Sequence, residues 1–559
     1  MSRYPTAEIC SADTHQVENM PPLLEDYNLF RTDATLRELV QLYGADWAFD
    51  NLTDYGRRCG SAEWIFRGIE ANRVKPVLET HDRYGNRIDE VVFHPAYHEM
   101  MAESKAQGLT DSPWTRPGPG AHVARAAGSY MVVQVEAGHS CPITMTFASV
   151  PTLRKQPEIA EEWLPKVLSR EYDPGNRPYI EKDTVTIGMA MTEKQGGSDV
   201  RRNSTRAFPI GKPGAGREYE LVGHKYFVSA PMCDAFLVTA QAEGGISCFL
   251  VPRWRPDGSK NPLQVLRLKD KMGNVSNASS ETELRGAYGW LIGEEGRGVS
   301  NILEMVALTR FDCQVASAGA MRQHMSQIIH HLSHRQAFGD FLDRKPLMQN
   351  VLADLELETE AAAHLAFRVA AALDGAAAGN EFETHFARVA TAVGKYWVCK
   401  RQPGHAYEAM ECIGGSAAME NSIMPRFYRE APINAIWEGS GTVQCLDVLR
   451  ALQREPESLE ALLAETGAAR GSDTRFDQYL DQLQAEFDQT DNIEYRARAV
   501  VEKMALALQG SLLLRHGHEA VAEAFCAGRL GGSSGNTYGM LPEGVDCATL
   551  IERGRLTAG

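Results

Sequence analysis

Two stretches of the chain carry side chains whose type and spacing suit chemistry. The first is Trp437-Glu438-Gly439-Ser440-Gly441. A carboxylate on a glycine-flanked turn can swing toward a substrate, and an apolar wall such as Trp437 raises its pKa toward the range of a general base. Ser440 is spaced to N-cap the helix that follows. Taken alone, a Glu ahead of a helix is more often a favourable charge on the helix dipole. The second stretch is Met191-Thr192-Glu193-Lys194-Gln195-Gly196-Gly197-Ser198-Asp199-Val200, where an apolar run over 184–191 stops at a Gly-Gly-Ser-Asp turn. A glycine pair followed by small polar side chains lets backbone N–H groups approach an anion or the polar edge of a ring, because no Cβ stands in the way. A plain strand-to-strand turn has the same composition.

Further features recur downstream in a fixed order: Gly223-His224-Lys225-Tyr226-Phe227-Val228-Ser229-Ala230, then Arg335-Gln336-Ala337-Phe338-Gly339, then Ile413-Gly414-Gly415. With the Trp437 motif, this ordered set resembles the acyl-CoA dehydrogenase flavoenzyme family. Cys141-Pro142-Ile143-Thr144-Met145-Thr146, Phe93-His94-Pro95 and residues 191–199 are most similar to its alkylation-response, AidB-like subgroup. The resemblance implies FAD as cofactor and an acyl-CoA thioester as substrate. It implies α,β-dehydrogenation, with Glu438 taking the α-proton while flavin N5 accepts the β-hydrogen as hydride. An electron-transfer flavoprotein is the acceptor it suggests.

Other roles are implied motif by motif. Met191, Thr192, Gly197 and Ser198 match residues that hold the pyrimidine edge and pyrophosphate of the flavin. Phe227 matches an aromatic packed on the isoalloxazine, and Ser229 a hydroxyl near N5. Ile436, Trp437, Ser440 and Thr442 match the segment beside the ring. Arg335, Phe338 and Gln349 match a stretch that reaches the adenosine side of a neighbouring subunit's FAD, and Glu411, Gly414 and Gly415 complete that contact. A shared cofactor implies a homo-oligomer, in this family usually a tetramer. Arg310 matches an arginine near the substrate pocket, with an interhelix salt bridge as the alternative.

The remaining sequence must fold so as to position these residues. At 559 residues the chain is too long for one core, and about 150 residues per domain suggests three or four units. With 43% hydrophobic and 23% charged residues the composition is that of a soluble globular protein. No apolar run reaches the ~20 residues of a membrane-spanning helix. The start, Met1-Ser2-Arg3-Tyr4-Pro5, has no apolar segment of a secretory signal. Eleven cysteines without a CxxC and sixteen histidines without an HExxH indicate neither a disulfide framework nor a zinc site, and fit a reducing cytoplasm. His330, His331 and His334 read as a solvated helix end, since no carboxylate or cysteine completes a metal set. A net charge of −16 argues against nucleic acid as the main ligand.

The periodicity predicts an α+β, mostly α fold. Residues 1–184 form an N-terminal helical domain after an extended start, with helical spacing at Leu36, Leu39, Val40, Leu42 and Tyr43 and again at Val132, Val133 and Val135. Residues 185–295 form the middle β domain, an antiparallel barrel or sandwich with strands over 185–191, 219–229, 235–241, 246–252 and 265–269. Residues 296–452 form a helical bundle, with a long helix carrying Ile302, Leu303, Val306, Val315 and Met321, then helices over 347–373, 382–400 and 441–453. Residues 453–559 form an extra helical domain, in which Tyr479, Leu480, Leu483 and Phe487 mark one helix, residues 504–514 another, and Gly531-Gly532-Ser533-Ser534-Gly535 a flexible break.

Some positions depart from the family pattern. Ala230 replaces the usual Asn after the Ser/Thr, Ser416-Ala417-Ala418 replaces a small-Gly-aromatic run, and 335–349 is longer than usual by about a turn. The last region is also an addition to the ordinary family plan. In the AidB-like subgroup it is associated with binding DNA and protecting it from alkylation, and that role, with only residual dehydrogenase activity, is the alternative function. Here residues 453–559 hold 10 Lys and Arg against 17 Asp and Glu, a poor electrostatic match for DNA. A flavin oxidase using O2 directly is a third reading.

Overall fold

The computed structural model describes residues 15–489, 491–532 and 535–556. The start Met1-Ser2-Arg3-Tyr4-Pro5, Cys10 and the Ser533-Ser534 part of the glycine-rich break lie outside them. The fold is α+β and mostly α, with a sheet domain between helical regions.

The first region holds helices α1 (Ala34–Leu42), α2 (Phe49–Cys59), α3 (Ala62–Arg73), α4 (Pro95–Ala106), α5 (Ala121–Val132), α6 (Ser140–Arg154) and α7 (Pro157–Val167). Asp33 starts α1 by accepting from Leu36 N at 2.9 Å, and Leu36, Leu39 and Val40 face the core. The helical spacing overshoots in α5, because Val133 and Val135 lie in the turns beyond its end. A hairpin also interrupts this region, β1 (Val77–His81) against β2 (Arg87–Val92). Its turn is built by Asp82, which accepts from Tyr84 N and Asn86 N, and by Gly85 at φ +82. Both strands are half-exposed, so no clean alternation marks them.

The β-rich block contains β3 (Ile187–Ala190), β4 (Arg206–Pro209), β5 (Glu218–Ser229), β6 (Ala235–Ala242), β7 (Gly245–Pro252), β8 (Leu263–Leu268) and β9 (Ser279–Ile292). The pairings β4–β5, β5–β9, β9–β7 and β7–β6 are antiparallel, and one parallel pair, Arg206 with Gln241, closes the circuit from β6 to β4. Five strands match expectation closely, but β4 and the central β9 were not expected. In β9, apolar alternation is broken by Gly286 at φ +77 and by Gly289, where a Cβ would meet Leu250 O at 2.9 Å. Close packing therefore demands glycine where a strand signal needs a large side chain.

The bundle is α8 (Gly298–His334), α9 (Pro346–Ala377), α10 (Glu381–Ile413), α11 (Met424–Glu430) and α12 (Gly441–Arg454), with a small hairpin of β10 (Gln336–Ala337) and β11 (Asp340–Phe341) between α8 and α9. His330 and His334 lie at the end of α8, where His330 Nε2 is 2.9 Å from Pro22 O. Among the described residues there is no group fit to hold a metal ion, and no helix is long and apolar enough to cross a membrane.

The tail, α13 (Pro456–Gly467), α14 (Thr474–Asp488), α15 (Ile493–His516), α16 (Glu519–Phe525) and α17 (Cys547–Gly554), packs onto this bundle. Leu462, Phe476, Leu508 and Ile551 share one buried core with Phe311, Leu357 and Trp397. Trp397 Nε1 donates to Gln509 Oε1 at 3.1 Å, and Arg322 donates to Gly554 O at 2.9 Å. Buried polar contacts of this kind fix one docking geometry for the apolar faces.

Candidate functional site

Glu438 lies on the turn just before α12, in a left-handed conformation at φ +57 followed by Gly439 at φ +96. For a glutamate this backbone is strained by on the order of 1 kcal/mol or more, so its surroundings must hold it. Arg310 Nε and Gln444 Nε2 both donate to Glu438 O, at 2.9 and 3.0 Å. Lys395 Nζ bridges Trp437 O and Gly439 O, each at 2.7 Å. Asp447 in turn fixes Arg310 at 2.7 Å and Arg388 at 3.1 Å, and Trp437 Nε1 donates to Asn434 at 3.1 Å. Arg310 is thus placed on the Glu438 backbone and Asp447. Ser440 stands at the N-cap of α12 as expected, but its side chain makes no cap bond and stays exposed.

The Glu438 carboxyl accepts from Thr309 Oγ1 at 2.8 Å. Burial raises its pKa, and the Thr309 bond and the Arg310 and Lys395 charges offset only part of that. It lines a cavity together with Trp437 and Thr309. Thr309, Cys313, Ala316 and Ala320 of α8 line it at intervals of three or four, one face of a helix over roughly 16 Å.

The other acids of this cavity are differently engaged. Asp312 takes both Arg125 guanidinium nitrogens at 2.7 Å and Thr144 Oγ1 at 2.6 Å. Glu136 accepts from Gly138 N, His139 N and Nδ1, Ser276 and Asn72, and against the effect of burial its contacts with His139 and Ser276 hold it at about 2. Glu430 accepts from Asn274 N at 2.6 Å and is pushed up to about 7 by burial and by the Glu136 charge.

The glycine loop directly follows β3. Glu193 and Gly196 exchange backbone bonds at 3.1 and 3.0 Å, while Thr192 O accepts from Tyr226 N at 2.8 Å, tying the loop to β5. Gly197 and Ser198 are exposed beyond this turn, and a Cβ at Gly197 would meet Thr192 Oγ1 at 2.6 Å. Such a backbone cradle fits a phosphate or a ring edge. Phe227 leaves 43% of its surface open, and Ser229 Oγ is 3.4 Å from Ser279 Oγ. The Cys141 thiol, raised to about 12 by burial, lies beside Ser229 and also feels the Glu438 charge. Cys141 thus links Ser229 of β5 to the Glu438 turn, and the loop of Met191, Thr192, Gly197 and Ser198 is tied to β5, which carries Phe227 and Ser229, while Ile436, Trp437, Ser440 and Thr442 flank Glu438.

The second group does not join them within this chain. Arg335 lies 26 residues beyond Thr309 along α8, about 40 Å at helical rise. Phe338, 98% exposed at φ +52, is the tip of the β10–β11 hairpin, and Arg335 donates to Asn19 O at 2.7 Å. Gln349 is in the first turn of α9, its backbone N bonded to Lys345 O. Glu411 is exposed near the end of α10, and Gly414, at φ +81, and Gly415 have nothing within 4 Å of a Cβ position.

Sequence reasoning missed Lys395, Gln444 and Asp447. Gln444 and Asp447 fall four and seven residues after Ser440, on one face of a helix, a signal that was available. Lys395 gave none, because its role comes only from packing α10 against the turn.

Residues 19–174 match the adaptive response protein AidB N-terminal domain, 188–287 the acyl-CoA dehydrogenase middle domain, and 296–453 the acyl-CoA dehydrogenase C-terminal domain. The chain is 42% identical to the putative acyl-CoA dehydrogenase AidB of Escherichia coli over 92% of its own length and 94% of that protein. It is 31% identical to acyl-CoA dehydrogenase family member 11 of Caenorhabditis elegans over 77% of its length and 70% of the relative. The crystal structure of Caenorhabditis elegans ACDH-11 in complex with C11-CoA superposes with a TM-score of 0.84 at 27% identity, covering 94% of this chain and 93% of that one. With the AidB match alone spanning 92% of its length, the chain belongs to the acyl-CoA dehydrogenase family, in the branch that contains AidB.

Proposed function

We propose that the protein is an FAD-dependent dehydrogenase that removes the α- and β-hydrogens of an acyl-CoA thioester, with Glu438 as the base. The observation that carries this reading is the Glu438 carboxyl, shielded, bonded to Thr309 and set at the head of an apolar cavity. FAD, when bound by the cradle of residues 191–198 with Phe227 and Ser229, supplies at N5 the acceptor for the β-hydrogen as hydride. The chain's own work is to exclude water, hold the acyl chain along α8 and take the α-proton at a Glu438 carboxylate oxygen. The C11-CoA complex of the ACDH-11 relative supports the thioester class. The ten described cysteines are all free, which supports a cytoplasmic setting.

Anaerobic titration of the FAD-loaded protein with a panel of acyl-CoA thioesters, following loss of the flavin absorbance, tests the reading. Bleaching by one chain class supports it, and no bleaching by any thioester rejects it.

The Arg310 bond to Glu438 O gives a positioning role rather than a direct contact with substrate. Arg310→Met lets the strained turn relax and lowers kcat by on the order of 10 to 100-fold, the scale of a misplacement of about 1 Å. FAD content and KM change little, and a matching drop in FAD content instead would assign the residue to folding.

A homo-oligomer, in this reading a tetramer, accounts for the second group of residues. Phe338 is 98% exposed at the tip of its hairpin, an arrangement suited to a neighbouring subunit's cofactor. Phe338→Ser weakens FAD retention by about tenfold, measured as flavin released on dilution through a sizing column. Unchanged retention, with the oligomer intact, would remove Phe338 from the cofactor contact.

A further inference from the structure

The cavity that begins at Glu438 ends on polar atoms. α8 and α10 run side by side: Cys399 Sγ bonds Cys313 O, and the rings of His324 and His405 are 5.2 Å apart. Gln402 of α10 is therefore level with Ala320 of α8, at the end away from Thr309. Phe427 of α11 packs edge-on against His324 at 5.6 Å, so Arg426 beside it is at the same end. Both Gln402 and Arg426 line the cavity. Arg426 Nη2 donates to Val135 O at 2.8 Å, but Arg426 Nη1 is buried without a partner. Gln402 is 1% exposed and its Oε1 is buried without a partner as well.

A buried donor and a buried acceptor at one end of an apolar cavity are costly unless a ligand satisfies them. A plain alkyl end would leave both unpaired. A carboxylate end would suit Arg426 but would meet Glu136 and Glu430, which already act on the Arg426 charge. A hydroxyl has the complementary groups for both atoms, an oxygen to accept from Arg426 Nη1 and a proton to donate to Gln402 Oε1, and brings no charge.

We infer that the cavity selects acyl thioesters whose chain carries a hydroxyl at its far end, recognised by Arg426 and Gln402. The inference rests on the thioester reading above and specifies its substrate class. A site built to hydrogen-bond a substrate hydroxyl discriminates strongly against the analogue lacking it.

The test uses a series of ω-hydroxyacyl-CoA thioesters of increasing length, each paired with the unsubstituted acyl-CoA of the same length. For every pair, kcat/KM with the FAD-loaded protein and affinity by calorimetry are measured. At the best-fitting length the hydroxyl form is preferred at least about tenfold in both. In Gln402→Leu the ratio falls close to one. Arg426→Met has the same effect where it folds, but it also loses the Val135 bond, so Gln402→Leu decides. Equal kcat/KM and equal affinity within every pair overturn the inference and leave the dehydrogenase reading standing. If no thioester reduces the flavin, that reading falls, and the calorimetric ratio still decides: a preference retained by wild type and lost in Gln402→Leu supports the hydroxyl site, and equal binding rejects it.

Discussion

Glu438→Gln lowers the rate at which an acyl thioester bleaches the flavin by at least about 10³-fold, within the range a positioned general base supplies. FAD content stays at the wild-type level, because the side chain's one hydrogen bond is to Thr309 and the backbone contacts of the turn come from its carbonyl. Glutamine keeps the size of the side chain and removes the proton acceptor.

The same site fixes the pH dependence. Burial raises the Glu438 carboxyl above its ordinary range, and a base works only when ionised. Activity therefore falls as pH drops through that raised value, on an acid limb above the usual glutamate value of about 4.3. Thr309→Val removes a hydrogen bond that favours the ionised form and moves the limb further up. A Gln variant that bleaches at near the wild-type rate, or a limb that ignores Thr309→Val, would assign the proton transfer to another group. Glu430, pushed to about 7 in the same cavity, is the group to examine then.

How much of this was legible in the chain depends on where each signal resides. The long helices announce themselves, since α8, α9 and α10 bury residues at helical spacing over many turns. The Glu438 turn was legible because aromatic, acid and glycines are adjacent in sequence. The strand β9 was not, because Gly286 and Gly289 serve close packing and the backbone turn at the price of the apolar pattern. The hairpin β1–β2 was hidden by half-exposure of both strands. The supports of the turn, Lys395, Gln444 and Asp447, come from two helices, and only two of the three share a face with a residue of the motif. The polar end of the cavity was invisible for the same reason: Arg426 and Gln402 are on different helices and mean something together only once packed. The docking of the tail was not legible either, because its helices are separately amphipathic and sequence period does not say that their apolar faces share the bundle core.

Lys225→Met destabilises the protein by about 3 to 5 kcal/mol, the cost of leaving a buried charge without its partner. Lys225 Nζ is 2.9 Å from Glu193 Oε1, and both side chains are fully buried. Glu193 also accepts from Ser204 N at 2.7 Å and Thr205 N at 3.1 Å, and Lys225 donates to Thr239 O at 2.7 Å and Met191 O at 3.4 Å. The pair therefore joins the start of the glycine loop to β5 and β6, and, on the proposed role of that loop, loss of FAD accompanies loss of stability.

Burial alone would raise Glu193, yet the Lys225 charge and the Thr205, Lys225 and Ser204 bonds hold it at about 2. In wild type its contribution to stability is complete above the unfolded carboxylate value and is lost as pH falls toward 2. In Lys225→Met burial is no longer opposed by a charge, the folded-state value rises, and the sign reverses: the variant gains stability as pH falls below neutral and Glu193 is protonated. The double variant Glu193→Gln with Lys225→Met recovers much of the loss at neutral pH, since two neutral groups carry no unpaired charge. Urea unfolding of the three proteins at two pH values, with FAD content measured beside it, distinguishes the cases. A single variant within about 1 kcal/mol of wild type, or a double variant no better than the single, would show that the cradle is held by its backbone bonds and not by this pair.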